Sequence, residues 1–408
     1  MKNFKKFNEK AKRTSKILTF LAIFCIFFSV LLFIPPLQCY ADTSDKTTKE
    51  EIYDEINNQL SGLDLEEIEK LLEGLDDESS LLFGSSSFVT KITNLMTGNL
   101  DDTTSFLNTI IRIFFGNLSK YIPLIATIIA ISVLGGIIDS VKPLSKNGSI
   151  SSLVHFAIYG LVLIIVGTSL FKLIGSVSSA ISSLKAQTDA ILPVLLTLLS
   201  GLGGNVSVGL YEPAVAMLSS LMMGFFNYFL LPLFIFSVVF SIVSNLSNSV
   251  KLNKFVSFLN SLFKWAVGLI FTVFMGFLTI QGISSGSVDG LSIRTAKYAI
   301  KSYVPIVGGY MSDGLNIILA STSLIKNAIG VAGILLVCST ILSPILELVL
   351  FMLALKLMAG IVEPLGDKNI ASFLSDLSKS MTMLIAVLVS ISFSYIIMIG
   401  LIMCTANL

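Results

Sequence analysis

From residue 121 onward the sequence is a succession of apolar runs, many close to the roughly 20 residues that cross a bilayer as helix. No other feature narrows the fold so much. A backbone inside hydrocarbon must satisfy its own hydrogen bonds, which leaves helices and closed barrels. Barrel strands alternate apolar and polar residues over short segments, and these runs do not alternate. The chain is 54% hydrophobic and 13% charged, against about 25% charged for soluble domains. The expectation is an all-α, polytopic helical membrane protein with tandem helical hairpins and re-entrant segments.

Residues 1–41 read as a leader. Lys2, Lys5, Lys6, Lys10, Lys12, Arg13 and Lys16 precede the apolar core Ile17–Leu37, and Cys39-Tyr40-Ala41 offers a small-x-small cleavage site. This is the order of a secretory signal peptide; the length of the core also allows an uncleaved anchor.

Residues 42–105 change character. They hold 16 acidic residues against four lysines. In "LDLEEIEKLLEGL", Leu65, Ile68, Leu71, Leu72 and Leu75 fall on one helical face. Following a leader, this acidic segment belongs outside the cytoplasm, because orientation is set by the lysines and arginines kept inside. It reads as a solvated helix with a linker, or as a docking helix for an extracytoplasmic partner.

Residues 106–408 form the membrane domain and repeat internally. "IPLIATIIAISVLGGIIDSVK" from Ile122 lies over "LPLFIFSVVFSIVSNLSNSVK" from Leu231, with Pro123 on Pro232. "SFLNSLFKW" (Ser257–Trp265) lies over "SFLSDLSKS" (Ser372–Ser380) in a third copy that starts at Pro344. Agreement of prolines, lysines and polar clusters at nearly one offset is the mark of a duplication. The hairpins fall at about 121–175, 230–284 and 342–404, with inter-hairpin segments at about 176–229 and 285–341. Their loops carry Lys142 and Lys146, then Lys251, Lys254 and Lys264, then Lys368 and Lys379, so all three can point to the cytoplasm. Each inter-hairpin segment then crosses an even number of times, and Gly201–Gly204 and Gly308-Gly309 mark re-entrant or broken elements.

The candidate interface or conduit residues cluster in the second inter-hairpin segment. Arg294, Lys297 and Lys301, spaced three and four apart, form one basic stripe. It suits a headgroup surface, or a cavity that holds an anion or a partner's acidic face. Lys326, Asn327 and Asp313 are polar neighbours of the same element, and Asp289 and Pro305 complete the candidate set. Lys356 and Glu363, nearly two helical turns apart, form a candidate intramembrane pair or snorkel separately. Glu347 sits three residues after Pro344, at an interface; Glu212 faces a turn, and Asp139 ends a helix.

Catalytic chemistry finds no foothold. His155, the one histidine, has no partner at catalytic or metal spacing and aligns with Lys264 in the repeat. Cys25 and Cys39 lie in the leader, and Cys338 and Cys404 in apolar runs, with no zinc or redox spacing. No phosphate-binding loop or nucleophile motif occurs. The reading is therefore not an enzyme, with no cofactor, no metal and no nucleic-acid partner.

"VDGLSIRTAKYAIKSYVPIVG" (Val288–Gly308), "SLIKNAIGVAG" (Ser323–Gly333), "QGISSGSVDG" (Gln281–Gly290) and "LPLFIFSVVFSIVSNL" (Leu231–Leu246) resemble the stage III sporulation protein AE family. The resemblance covers the membrane region and the leader-then-acidic layout. It implies a membrane subunit of the secretion or feeding channel joining mother cell and engulfed forespore. That subunit sits in the mother-cell membrane around the forespore, beside a secretion-type ATPase and ring-forming proteins. The alternative class is an autonomous secondary transporter of a small solute, since repeats and broken helices also mark those folds.

Overall fold

The computed structural model describes residues 55–405, apart from residue 57 and the stretches 85–86, 98–102, 141–147, 247–251, 304–306 and 366–367. Only the backbone is described at 97, 103–107, 138–140, 148–153, 155, 281–303, 307–313 and 365. The leader, residues 42–54 and the lysines of the 141–147 and 247–251 connections therefore lie outside the described residues.

Three short helices come first: α1 (Glu66–Glu73), α2 (Asp77–Phe83) and α3 (Phe88–Thr97). The apolar face read from the sequence is there. Leu65 and Ile68 are buried, with Leu71, Leu72 and Leu75 partly buried against the same core, while Glu66, Glu67, Glu69 and Glu73 are exposed. Asp76 caps α2 by accepting a hydrogen bond from the Ser79 amide, which satisfies one of the helix's orphan donors.

The long helices follow: α4 (Thr103–Ser140), α5 (Gly148–Gly201), α6 (Asn205–Phe225), a π-turn (Phe226–Leu230), α7 (Leu231–Leu246), α8 (Asn253–Tyr303), α9 (Val307–Val362), a 3-10 turn (Glu363–Leu365) and α10 (Lys368–Cys404). Among the described residues, six helical spans are long and apolar enough to cross a membrane: α4, α5, α6 with α7, α8, α9 and α10. This is the make-up of a multi-pass membrane protein.

Helix continuity differs from the sequence reading. The helices run unbroken through residues 175, 284 and 342, so each inter-hairpin segment is the far length of two hairpin helices. Gly201–Gly204 is the turn between α5 and α6, where Gly203 takes φ 78, a left-handed backbone that favours glycine. Gly308 and Gly309 belong to the first turn of α9. Pro123 and Pro344 lie inside α4 and α9 rather than at helix entries. Packed neighbours and local hydroxyls make interior proline tolerable in membrane helices.

The core is built around α9 and α10, which share the most extensive helix–helix interface. Leu348, Phe351, Leu355 and Met358 of α9 and Leu374, Met381, Leu388 and Met398 of α10 belong to one buried apolar cluster, all without measurable exposure. The two helices approach closely at Gly330, where an added Cβ would collide with the Met403 side chain. α5 runs antiparallel along α9, and the bonds Ser176–Glu347 and Gln187–Thr340 fix its register.

Candidate functional site

Polar side chains inside this apolar bundle collect in three places along α5 and α9. The first is where the acidic segment meets the long helices. Glu78, on α2, accepts hydrogen bonds from Ser343 Oγ of α9 at 2.5 Å and from Asn117 Nδ2 of α4 at 3.1 Å. Lys120 Nζ lies 3.5 Å from its other carboxylate oxygen. One turn along α9, Glu347 accepts from Ser176 Oγ at 3.3 Å, and its backbone carbonyl accepts from Tyr121 OH at 3.4 Å. Half-buried carboxylates gain from such donors, since losing solvation without replacement is costly.

The second collection lies further along α5. Lys185 pairs with Asp189 one turn on. Asp189 accepts from Ser219 Oγ of α6 at 3.3 Å, and that hydroxyl lies 3.3 Å from Tyr395 OH of α10. Gln187 Nε2 donates to Thr340 Oγ1 of α9 at 2.7 Å. Gln187, Ser219, Thr340 and Tyr395 are buried, so these bonds join four helices where water is scarce.

The third lies at the end of the bundle that carries the Gly201–Gly204 turn. Lys326, with no exposed surface, donates to the Thr405 carbonyl at the end of α10 at 2.5 Å. A cation suits the negative end of a helix. Gln59 donates to Ser321 Oγ at 3.2 Å and accepts from Thr322 Oγ1 at 2.9 Å. The Oδ1 atom of Asn327 is buried with no hydrogen-bond partner.

The sequence-derived residues are thus distributed, not gathered. Lys326 and Asn327 belong to the third collection. Asp289, Arg294, Lys297 and Lys301 lie on the helical backbone of α8, with side chains outside the described set, and Pro305 lies outside the described residues. Lys356 and Glu363 are both exposed, and no ion pair joins them. Glu212 is exposed inside α6, away from a turn. Sequence reading missed Glu78, Gln187, Asp189, Ser219 and Tyr395. A Lys–Asp pair at i,i+4 within an apolar helix was a legible signal; the others depend on contacts distant in sequence. Among the described residues, no group of three or more His, Cys, Asp or Glu could hold a metal ion. These bonds chiefly fix helix register and seat the acidic segment.

A family model described as Stage III sporulation protein AE matches residues 86–406. The curated Stage III sporulation protein AE of Bacillus subtilis (strain 168) is 25% identical over 285 residues, covering 70% of this chain and 71% of that protein. No solved structure matches. The family match covers α3 to α10 and leaves α1, α2 and Glu78 outside it.

Proposed function

The chain belongs to the stage III sporulation protein AE family, and on that premise we propose that it is a non-enzymatic membrane subunit of the secretion or feeding channel between mother cell and forespore. The family assignment itself supports a role in sporulation. The observation that carries the finer reading is that the family match runs through all six apolar spans, so the shared part is a membrane body rather than an appended domain. The subunit sits in the mother-cell membrane around the forespore and supports forespore maintenance and late development. A secretion-type ATPase and ring-forming proteins are its partners, and any ATP-driven work belongs to them. Residues 1–41 act as its leader.

On this reading the basic stripe of Arg294, Lys297 and Lys301, with Asp289 and Pro305, meets a partner or lipid headgroups. The transporter alternative rests on internal repeats and broken helices; of these two supports the second is weakened, because α5, α8 and α9 run unbroken. The deciding experiment is affinity capture of the full-length protein from sporulating cells. Recovery of the ATPase and ring proteins with it is expected. Their absence, together with solute uptake driven by an ion gradient in liposomes holding this chain alone, would sink the proposal.

A further inference from the structure

Where the acidic segment meets the long helices, oxygen acceptors outnumber the groups that serve them. Ser343, which donates to Glu78, and Glu347 stand one turn apart on α9. Lys120 and Tyr121 are neighbours on α4: the first lies 3.5 Å from a Glu78 oxygen, and the second donates to the Glu347 carbonyl at 3.4 Å. Both carboxylates therefore belong to one crossing of α2, α4 and α9. The charges of Lys120, Glu78 and Asp76 all act on Glu347, so three acidic groups share one ammonium. Among the described residues no ion pair includes Glu347. Its carboxylate accepts one long bond, from Ser176 at 3.3 Å.

Two buried side chains at this crossing are left short. Asn117 is 1% exposed; its Nδ2 donates to Glu78, but its Oδ1 has no partner. Ser79, next to Glu78 in the chain and without exposed surface, has no partner for its Oγ. Burying such oxygens unserved is costly. Turning the Asn117 amide over does not help, because Oδ1 would then face the Glu78 carboxylate, acceptor against acceptor. What the crossing lacks is a positive centre among these oxygens.

We propose that the crossing binds a divalent cation of the calcium type, held by the carboxylates of Glu78 and Glu347, Asn117 Oδ1 and Ser79 Oγ, and that this ion clamps the acidic segment to α4 and α9. The ligand set selects the ion. Every member is a hard oxygen, and the arrangement is irregular. Calcium accepts such sets and completes its shell with water, whereas magnesium demands near-octahedral geometry. Only two ligands are carboxylates, which places the affinity with the weak extracellular sites, about 10⁻⁴–10⁻³ M. Lys120 gives way at little cost, because its side chain is 62% exposed and an exposed ion pair contributes little. The exposed Asp76 leaves the ion a route from water. The inference concerns how the acidic segment is seated and does not depend on the channel reading.

The test uses the full chain in detergent and chelator-treated buffer, titrated with terbium, a calcium substitute whose emission is excited through a nearby tyrosine. Tyr121, in contact with Glu347, is the antenna. Saturable emission is expected, displaced by millimolar calcium and far less by magnesium. It falls severalfold in Tyr121→Phe, which keeps the ligands, and in Glu347→Gln, which keeps the shape. Calcium is also expected to slow proteolysis within residues 61–84 severalfold in the parent and in Tyr121→Phe, but not in Glu347→Gln. Equal unfolding midpoints in calcium-free buffer show that the variants are folded; should Glu347→Gln fail to fold, Ser79→Ala takes its place. No calcium-displaceable emission up to about 10 mM, emission unchanged in Glu347→Gln or Tyr121→Phe, or equal displacement by magnesium would each overturn the proposal. Water alone filling the gap gives the first of these results.

Discussion

Lys326 Nζ and the carbonyl oxygen of Thr405 meet 2.5 Å apart, with the lysine wholly buried. The cation sits where the C-terminal end of α10 leaves carbonyls without helical donors. Lys326→Met keeps the chain length and removes the charge, stranding a buried acceptor. The expected cost is about 1–3 kcal/mol, read as a lower unfolding midpoint of the purified protein in detergent. An unchanged midpoint would show that the contact contributes nothing.

The Glu78 junction predicts a loosened acidic segment when its acceptor is weakened. Glu78→Gln retains the shape but gives up the charge-assisted bonds to Ser343 and Asn117 and the attraction of Lys120. Each such bond is worth about 1–3 kcal/mol at most. Limited proteolysis within residues 61–84 is expected to accelerate severalfold while the long helices stay resistant. Equal cleavage rates in variant and parent would rule out the junction as the anchor.

Gly330 predicts a size limit and its rescue. Gly330→Ala places a Cβ onto Met403, and overpacking of this kind costs about 1–3 kcal/mol. Shortening the obstacle in Gly330→Ala/Met403→Ala is expected to recover part of that loss despite the methyl groups removed. If the double variant is no more stable than the single one, the close approach of α9 and α10 is not what Gly330 provides.

Asp189 and Lys185 predict a non-additive pair. Lys185→Met leaves the carboxylate with Ser219 alone, whereas Lys185→Met/Asp189→Leu removes both charges. Both side chains are only half-buried, so breaking one partner is expected to cost no more than about 1 kcal/mol, with a smaller further loss when the second charge goes, measured on the same unfolding assay. Additive losses would mean the two side chains do not act together.

The basic stripe predicts a stage-specific defect. Arg294→Glu with Lys297→Glu is expected to lower spore yield after engulfment while vegetative growth stays normal. Normal spore yield at parental protein levels would remove the stripe from the interface.

The class of fold was open to sequence reasoning because bilayer thickness imposes a length on apolar runs, and α4 to α10 show it. The apolar face around Ile68 was equally legible, since helical spacing is a local property. Helix continuity was not. The sequence divides the chain into hairpins and inter-hairpin segments near residues 175, 284 and 342, yet α5, α8 and α9 pass straight through these positions. Glu78 escaped notice for a different reason: its bond to Ser343 spans 265 positions, and nothing local in "DDESS" announces it. Lys326 reads from the sequence as a polar neighbour of the basic stripe, and its partner is not legible there, because a backbone carbonyl carries no sequence signature.

The central place of α10 bears on how the chain is made. This helix follows the other described helices in synthesis, yet the buried faces of α9 and α5 are completed only against it. Until it leaves the ribosome, the earlier segments wait in the insertion machinery with their inner surfaces open. A stalled or shortened product would therefore be left as an unsealed intermediate, the natural prey of membrane quality-control proteases.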